Sequence, residues 1–368
     1  MGRRRAACVS CLVVALLAPA ALADVLVVAP SGAPFTQIQD AVFAAQPGDI
    51  VLVKSGSYGR VHIFESVSIV ADKDATVIVN DGISIGTADA STTIVLRGLT
   101  LPAPTLPDTS ALLVNALGSV HIERCSFTGT SAPSSFFAPW ASQGARVWSS
   151  EVTFAHCTFV GGAGSSGVGA AIPDHPGAAG LSVLSSNVSL WQCSITGGAG
   201  GDGLSNPATL GGPGMTVHGG LAVVDGCTVA GGTGGTGALG IVGAPGAQGG
   251  EAVFLYSGLL RHTDTTFSGG AGGAGGPGFS VPGPAGSPGA PVVVVNGSMA
   301  AHADAARDFT VDSPVRSGDV ASFEFGTVSC DAVLLLYSVA AQPLWLGGPR
   351  GRSCRSCRWG AWPSPSPA

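Results

Sequence analysis

One ten-residue frame returns along this chain, and it constrains the fold more than any other feature. Val120-His121-Ile122-Glu123-Arg124-Cys125-Ser126-Phe127-Thr128-Gly129 is matched by Val152-Thr153-Phe154-Ala155-His156-Cys157-Thr158-Phe159-Val160-Gly161. The frame recurs around Cys193 and Cys227, and again around Thr265, where threonine replaces the cysteine. Two degenerate copies precede these, centred on Leu99 and on Val67, and the anchors from Val67 onward are spaced 32, 26, 32, 36, 34 and 38 residues apart. Apolar residues fall mostly at −5, −3, 0 and +2 from the anchors. That pattern is two period-2 strand faces separated by a bend that keeps both faces pointing inward. A further apolar stretch precedes each frame, for example Leu112-Leu113-Val114 and Met215-Thr216-Val217, and a Gly, Ser or Asn turn closes it. Three short strands per repeat, none able to bury its inner face alone, predict a stacked solenoid. Seven anchors at about 4.8 Å per coil predict a rod of roughly 34 Å.

Composition agrees with such a stack. Only 10% of residues are charged and 45% are hydrophobic, while Gly contributes 57 and Pro 25. Lys54 and Lys73 are the only lysines and Glu occurs five times, which disfavours long helices. The hydrophobic fraction is too high for a disordered chain.

Length variation is confined to the segments that follow each frame: residues 130–143, 163–179, 199–213, 233–250 and 271–290. They leave the same corner of successive coils, so they are expected to project from one face. Solenoid loops on one face often form a binding surface, but glycine-rich inserts also serve as spacers, since lengthening a loop costs little free energy. The spacer reading is the one preferred from sequence. Residues 243–249 and 283–289 carry a three-residue glycine period, too short for a collagen helix and expected to form local polyproline II segments.

The N-terminus has Arg3, Arg4 and Arg5, then an apolar run, then Ala21-Leu22-Ala23 at the expected cleavage positions. Residues 1–23 are read as a signal peptide, giving a secreted or cell-surface protein with no membrane-spanning segment in the mature chain. Their removal takes away three arginines and moves the net charge from −6 to −9. So acidic a chain lacks the basic stripe that nucleic acid requires.

Phe35-Thr36-Gln37-Ile38-Gln39-Asp40-Ala41-Val42, followed by Pro47-Gly48-Asp49 and Gly56-Ser57-Tyr58, resembles the opening of pectin-lyase-like proteins. The resemblance covers about residues 25–300. It implies an all-β, right-handed parallel β-helix with a short N-terminal capping helix, whose apolar face here is Ile38, Ala41, Val42 and Ala45. The expected layout is a β-helix over 24–300, a small C-terminal β module over 301–347 with strands near 320–325 and 332–338, and a disordered tail over 348–368. The module would cover strand edges at the open end.

The superfamily includes lyases, hydrolases, esterases and adhesins, so it does not fix an activity. Its pectate lyases hold Ca²⁺ with acids on adjacent coils beside an Arg or Lys base; its polygalacturonases gather several Asp, and its methylesterases pair two Asp with an Arg. Here the residue before the anchor runs Arg124, His156, Gln192, Gly226, Asp264, and one step earlier the series is Glu123, Ala155, Trp191, Asp225, Thr263. Neither series gives two acids on consecutive coils. Arg97, Arg124 and Arg146 are the arginines available to a site on successive coils, and Asp174, His175 and Asp202 lie in the inserts. These six are the candidate binding residues; no catalytic residue is assigned.

Asp72, Asp74, Asp81 and Asp89 match no calcium loop and are read as turn residues. No cofactor or metal is assigned; Ca²⁺ has no supporting motif. Cys125, Cys157, Cys193 and Cys227 form an inward structural ladder of free thiols, and Cys354-Arg355-Ser356-Cys357 is half a zinc site without a second pair. His262 occupies an inward position near the end of the rod. Two functions fit. One is a non-enzymatic exported protein, binding or structural, that contacts glycans or cell-surface components through its loop face. The alternative is a carbohydrate-active lyase or hydrolase on acidic polysaccharide.

Overall fold

The computed structural model describes residues 23–87, 89–105, 110–132, 140–165, 175–203, 207–301, 308–311 and 323–326. Residues 1–22 of the expected signal peptide, the strand expected near 332–338, the expected tail and the Cys354–Cys357 pair lie outside them.

Residues 25–301 wind into a parallel β-helix. Every strand pair in its two large sheets is parallel, one sheet having fourteen strands and the other eight. In a middle coil the first strand is Leu112–Ala116, the second Ser119–Glu123 and the third Ser126–Thr128. In later coils the first two fuse into one bent strand, as in Leu181–Trp191, Met215–Asp225 and Val253–Thr263.

The core is built from columns. Val67, Ile94, Val120, Val152, Val188, Ala222 and Leu260 stack in register, as do Ile69, Leu96, Ile122, Phe154, Leu190, Val224 and His262. Phe127 stacks on Phe159 with centroids 5.2 Å apart, and Phe154 meets Phe159 edge-on at 5.0 Å. All three are fully buried, each contributing on the order of 2–3 kcal/mol by transfer from water. At the end of the column His262 meets Phe267 edge-on at 5.3 Å.

The bend before the third strand has one backbone solution in six successive coils. Gly98, Arg124, His156, Gln192, Gly226 and Asp264 all have positive φ, between 44° and 73°. A left-handed conformation costs a side-chain-bearing residue about 1–2 kcal/mol. The amides of Arg124, His156 and Gln192 donate to Ala155, Trp191 and Asp225 of the next coil at 2.9 Å, so each strained residue is held by the stack.

The register corrects one reading of the sequence. Val67 pairs with Ile94, a −5 position, whereas the residue opposite the Leu99 anchor is Val77, and Gly56 stands opposite Val77. The chain therefore has a further coil at its start, and the early anchors Gly56, Val77 and Leu99 lie only 21 and 22 residues apart. No insert separates these coils. An alternating strand just upstream then looks like an anchor frame.

The capping helix spans Ile38–Ala44 and buries Ile38 and Ala41 against the first coils, with Val42 and Ala45 partly buried beside them. Gly48, at φ +98°, turns the chain out of it. Buried Asp49 closes the corner: its two carboxylate oxygens accept the amides of Asp24 (2.8 Å) and Gln46 (2.7 Å). In the C-terminal segment, Asp308–Val311 pairs antiparallel with Phe323–Gly326, which overlaps the first strand expected there.

Candidate functional site

The described parts of the inserts are ordered by backbone hydrogen bonds. In its described residues each has an outgoing run that leaves the third strand and a returning run that leads to the next coil, and both runs are hydrogen-bonded every third residue. In the outgoing runs the first glycine of each triplet donates to the next insert: Gly197 to Ala230, Gly200 to Thr233, Gly231 to Ser268, Gly234 to Ala271 and Gly237 to Ala274, all at 2.7–2.9 Å. The second residue donates across to a returning run, as Gly198 does to Ala178, Gly232 to Gly212 and Gly235 to Thr209. The returning runs reciprocate, Gly212 donating to Gly198 and Gly250 to Gly232. The third residue faces outward, as exposed Thr233 and Leu239 do. Three residues per turn, with bonds between runs, is polyproline II geometry, and here it forms a two-layered array.

Glycine is obligatory at the close approaches. A Cβ on Gly232 would lie 1.9 Å from the Gly198 carbonyl oxygen, and one on Gly198 would lie 1.9 Å from that of Gly162. The glycine content seen in the sequence is thus a packing requirement.

The six candidate binding residues are not gathered into one site. Arg97 lies mostly withdrawn from solvent and pairs with Glu123 at 3.2 Å; Arg124, one residue on, approaches the other oxygen of the same carboxylate at 3.6 Å. These two arginines on adjacent coils share one acid. Arg146 lies elsewhere, its guanidinium 5.2 Å from the centroid of Trp148. Asp202 faces outward on the insert array, where its carboxylate accepts the Thr236 amide at 2.7 Å. His175 is 2% exposed and bridges the base of an insert by reciprocal backbone bonds with Ser165. Its ring lies 5.1 Å from that of Trp140, and neither ring nitrogen has a hydrogen-bond partner among the described residues. Asp174 lies outside the described residues.

The acids of the early coils serve turns. Asp72 is buried in an ion pair with Lys54, Asp81 accepts the Thr105 amide and hydroxyl, and Asp89 accepts the Ser91 amide. The hydrogen bonds from Thr105 lower the Asp81 pKa, and that from Ser91 lowers the Asp89 pKa. No group of three or more His, Cys, Asp or Glu able to hold a metal occurs among the described residues.

Sequence reasoning missed the row on the outer face of the first strands. Trp148, Leu184 and His218 stand opposite one another on three successive coils. Tyr256, on the next coil, stacks on His218 at 5.4 Å and is 48% exposed. With Arg146 over Trp148, the row offers aromatic faces and a cation along the rod axis. Its signal in the sequence is one outward aromatic or apolar residue per coil, which a search for inward periodicity passes over.

No protein-family model matches the chain, and no curated protein does. Among solved structures it is similar to pectin methylesterase PemA from Erwinia chrysanthemi, at 13% identity over 65% of this chain and 77% of that one, with a TM-score of 0.37. It is similar to pectate lyase Pel9A at 10% identity over 75% and 78%, with a TM-score of 0.41. Escherichia coli YbhC gives 12%, 68%, 72% and 0.34. These are likenesses of β-helix architecture, and no residue role is transferred from them.

Proposed function

We propose that the protein is exported and engages glycans along the outer face of its first strands. The row Trp148, Leu184, His218, Tyr256 carries the reading. Aromatic faces pack on the C–H faces of sugar rings, and adjacent polar groups take the hydroxyls. Successive coils repeat at about 4.8 Å, so the row presents a continuous track for a saccharide chain lying along the rod. The acidic net charge favours neutral or cationic glycans over polyanions at this track. The export reading is supported by residues 1–23, whose arginine start, apolar run and Ala21-Leu22-Ala23 suit a signal peptide for a secreted or cell-surface protein.

A glycan-array screen of the mature chain tests this reading. Binding that Trp148→Ala and Tyr256→Ala each weaken about tenfold or more, with folding unchanged by circular dichroism, is the expected result. Binding that neither substitution alters would remove the row from consideration.

Turnover of acidic polysaccharide, by a lyase or hydrolase, is the second reading, and one observation favours it. Glu123 lies between two guanidinium groups contributed by adjacent coils. Cations so placed suit a uronate carboxylate, and the acid beside them suits proton transfer. Incubation with polygalacturonate, with and without Ca²⁺, separates the readings. New unsaturated or reducing ends that vanish in Glu123→Gln and Arg97→Ala support turnover; no product under either condition sets it aside.

A further inference from the structure

The last insert ends the array, and its two layers end differently. Along the returning layer, each column donates amide to carbonyl from one insert to the next. Gly177 donates to Leu210, Gly211 to Gln248 and Gly249 to Ser287; Gly180 donates to Pro213, Gly214 to Glu251 and Ala252 to Ala290. The next residues in these columns are Pro288 and Pro291, and the column of Gly243 ends in Pro282. Proline has no amide hydrogen, so three of the four columns finish without a stranded donor; the fourth ends at Ala285.

The outgoing layer has no such ending. Gly269, Gly272 and Gly275 occupy the positions of Gly231, Gly234 and Gly237, whose amides donate to Ser268, Ala271 and Ala274. Among the described residues the amides of Gly269, Gly272 and Gly275 find no acceptor. They recur about 9 Å apart, three polyproline II residues at about 3.1 Å each. The same run leads to an apolar tip, where Leu239, Ile241, Val242, Phe279 and Val281 are 56–83% exposed on a two-stranded ribbon. Five large exposed side chains on one small element form a patch of the kind that marks an interaction site.

We propose that this open edge is a docking site for an extended glycine-rich segment of a partner protein, which joins the outgoing layer in polyproline II conformation. The interface already exists inside the molecule, since each outgoing run from residue 161 to residue 240 is docked in this way on the next. Its chemistry defines the occupant. The partner supplies a carbonyl every third residue. It also has glycine at every third position, because the second residue of each triplet meets a carbonyl of the preceding run: a Cβ on Gly270 would lie 1.9 Å from the Gly232 oxygen, and one on Gly273 the same distance from that of Gly235. An apolar residue after the glycine triplets would settle on the tip beside Phe279. A second copy docked with its own last insert against this one does not satisfy the edge, since donors would face donors.

The test is residue-resolved amide exchange of the full chain. The probe is the synthetic peptide Gly-Gly-Ala-Gly-Gly-Ala-Gly-Gly-Pro-Gly-Phe, a copy of residues 269–279. The control carries Ala at the second position of each triplet. Exchange at Gly269, Gly272 and Gly275 is expected to slow by about tenfold or more with the probe and to stay unchanged with the control. Equal slowing by both peptides, or by neither at saturation, overturns the proposal. So does slowing by an oligosaccharide in place of the probe, or exchange in the free protein already as slow as at Gly231 and Gly234, which would mean an edge occupied from within.

Discussion

The cysteines of the ladder are acceptors as well as apolar filler. The sulfur of Cys193 accepts the Cys157 amide at 3.4 Å, that of Cys227 accepts the Cys193 amide at 3.2 Å, and at the end of the column the Thr265 hydroxyl takes the same role for Cys227 at 3.3 Å. Sulfur and hydroxyl are interchangeable there, which explains the threonine in the fifth frame. Cys193→Thr is therefore expected to cost under about 1 kcal/mol, whereas Cys193→Ala strands a buried amide and costs about 1–3 kcal/mol; urea unfolding of both variants measures the difference. Burial pushes the Cys125 thiol up to about 12, and the hydrogen bond with Cys157, ahead of burial, pushes Cys193 up to about 12. These thiols ionise more readily in the unfolded chain. Their contribution to stability is present below the unfolded value near 9 and is lost as pH rises toward 12. Thermal unfolding from pH 8 to 11 should show the decline, and thiol reagents at pH 8 should label the native ladder only after denaturation. At the insert glycines the limit is steric: Gly232→Ala is expected to cost about 2 kcal/mol or more, and Thr233→Ala, facing outward, within about 0.5 kcal/mol.

At the scale of elements, strands and inserts differ in how far they could be read from the chain. The strands were legible because inward residues alternate, and the capping helix because Ile38, Ala41, Val42 and Ala45 share one face. The Val67 frame misled because the alternation is the same at −5 and at the anchor, so only pairing with Ile94 fixes the register. The inserts were legible in composition but not in structure. A polyproline II array carries its information in where side chains are missing, and its bonds between like runs of successive inserts join residues 31–38 positions apart. Amide exchange separates the two descriptions: Gly198, Gly212, Gly232 and Gly250 should be protected as strongly as strand amides, where flexible spacers would exchange within seconds.

For the whole molecule, stability is close to a sum of neighbour terms, each coil resting on the next. One end is closed by the helix. At the other, Val294 occupies an inward position opposite Leu255 yet is 44% exposed, because no described coil covers it. Ending the chain at Ala301 should lower the melting temperature and promote association through the bare strand at 292–301 if residues 301–347 act as a cap; an unchanged melting temperature and a monomer by light scattering would dismiss that role. The candidate site was the least legible feature at this scale. Outward side chains obey no burial pattern, so Arg97 and Arg124 could be placed on neighbouring coils, but their shared partner Glu123 and the Trp148 row emerged only once the coils were in register.

The insert array also makes the rod mechanically uneven. Backbone bonds between coils lie along its axis, so tension on the two ends loads every coil junction in series. Among the described residues, junctions before residue 129 carry no glycine-insert array, whereas those beyond residue 161 gain the cross-links of the inserts, acting in parallel. A pull strong enough to part the early coils would leave the later ones joined, so the molecule behaves as a compliant N-terminal spring in line with a stiff C-terminal block.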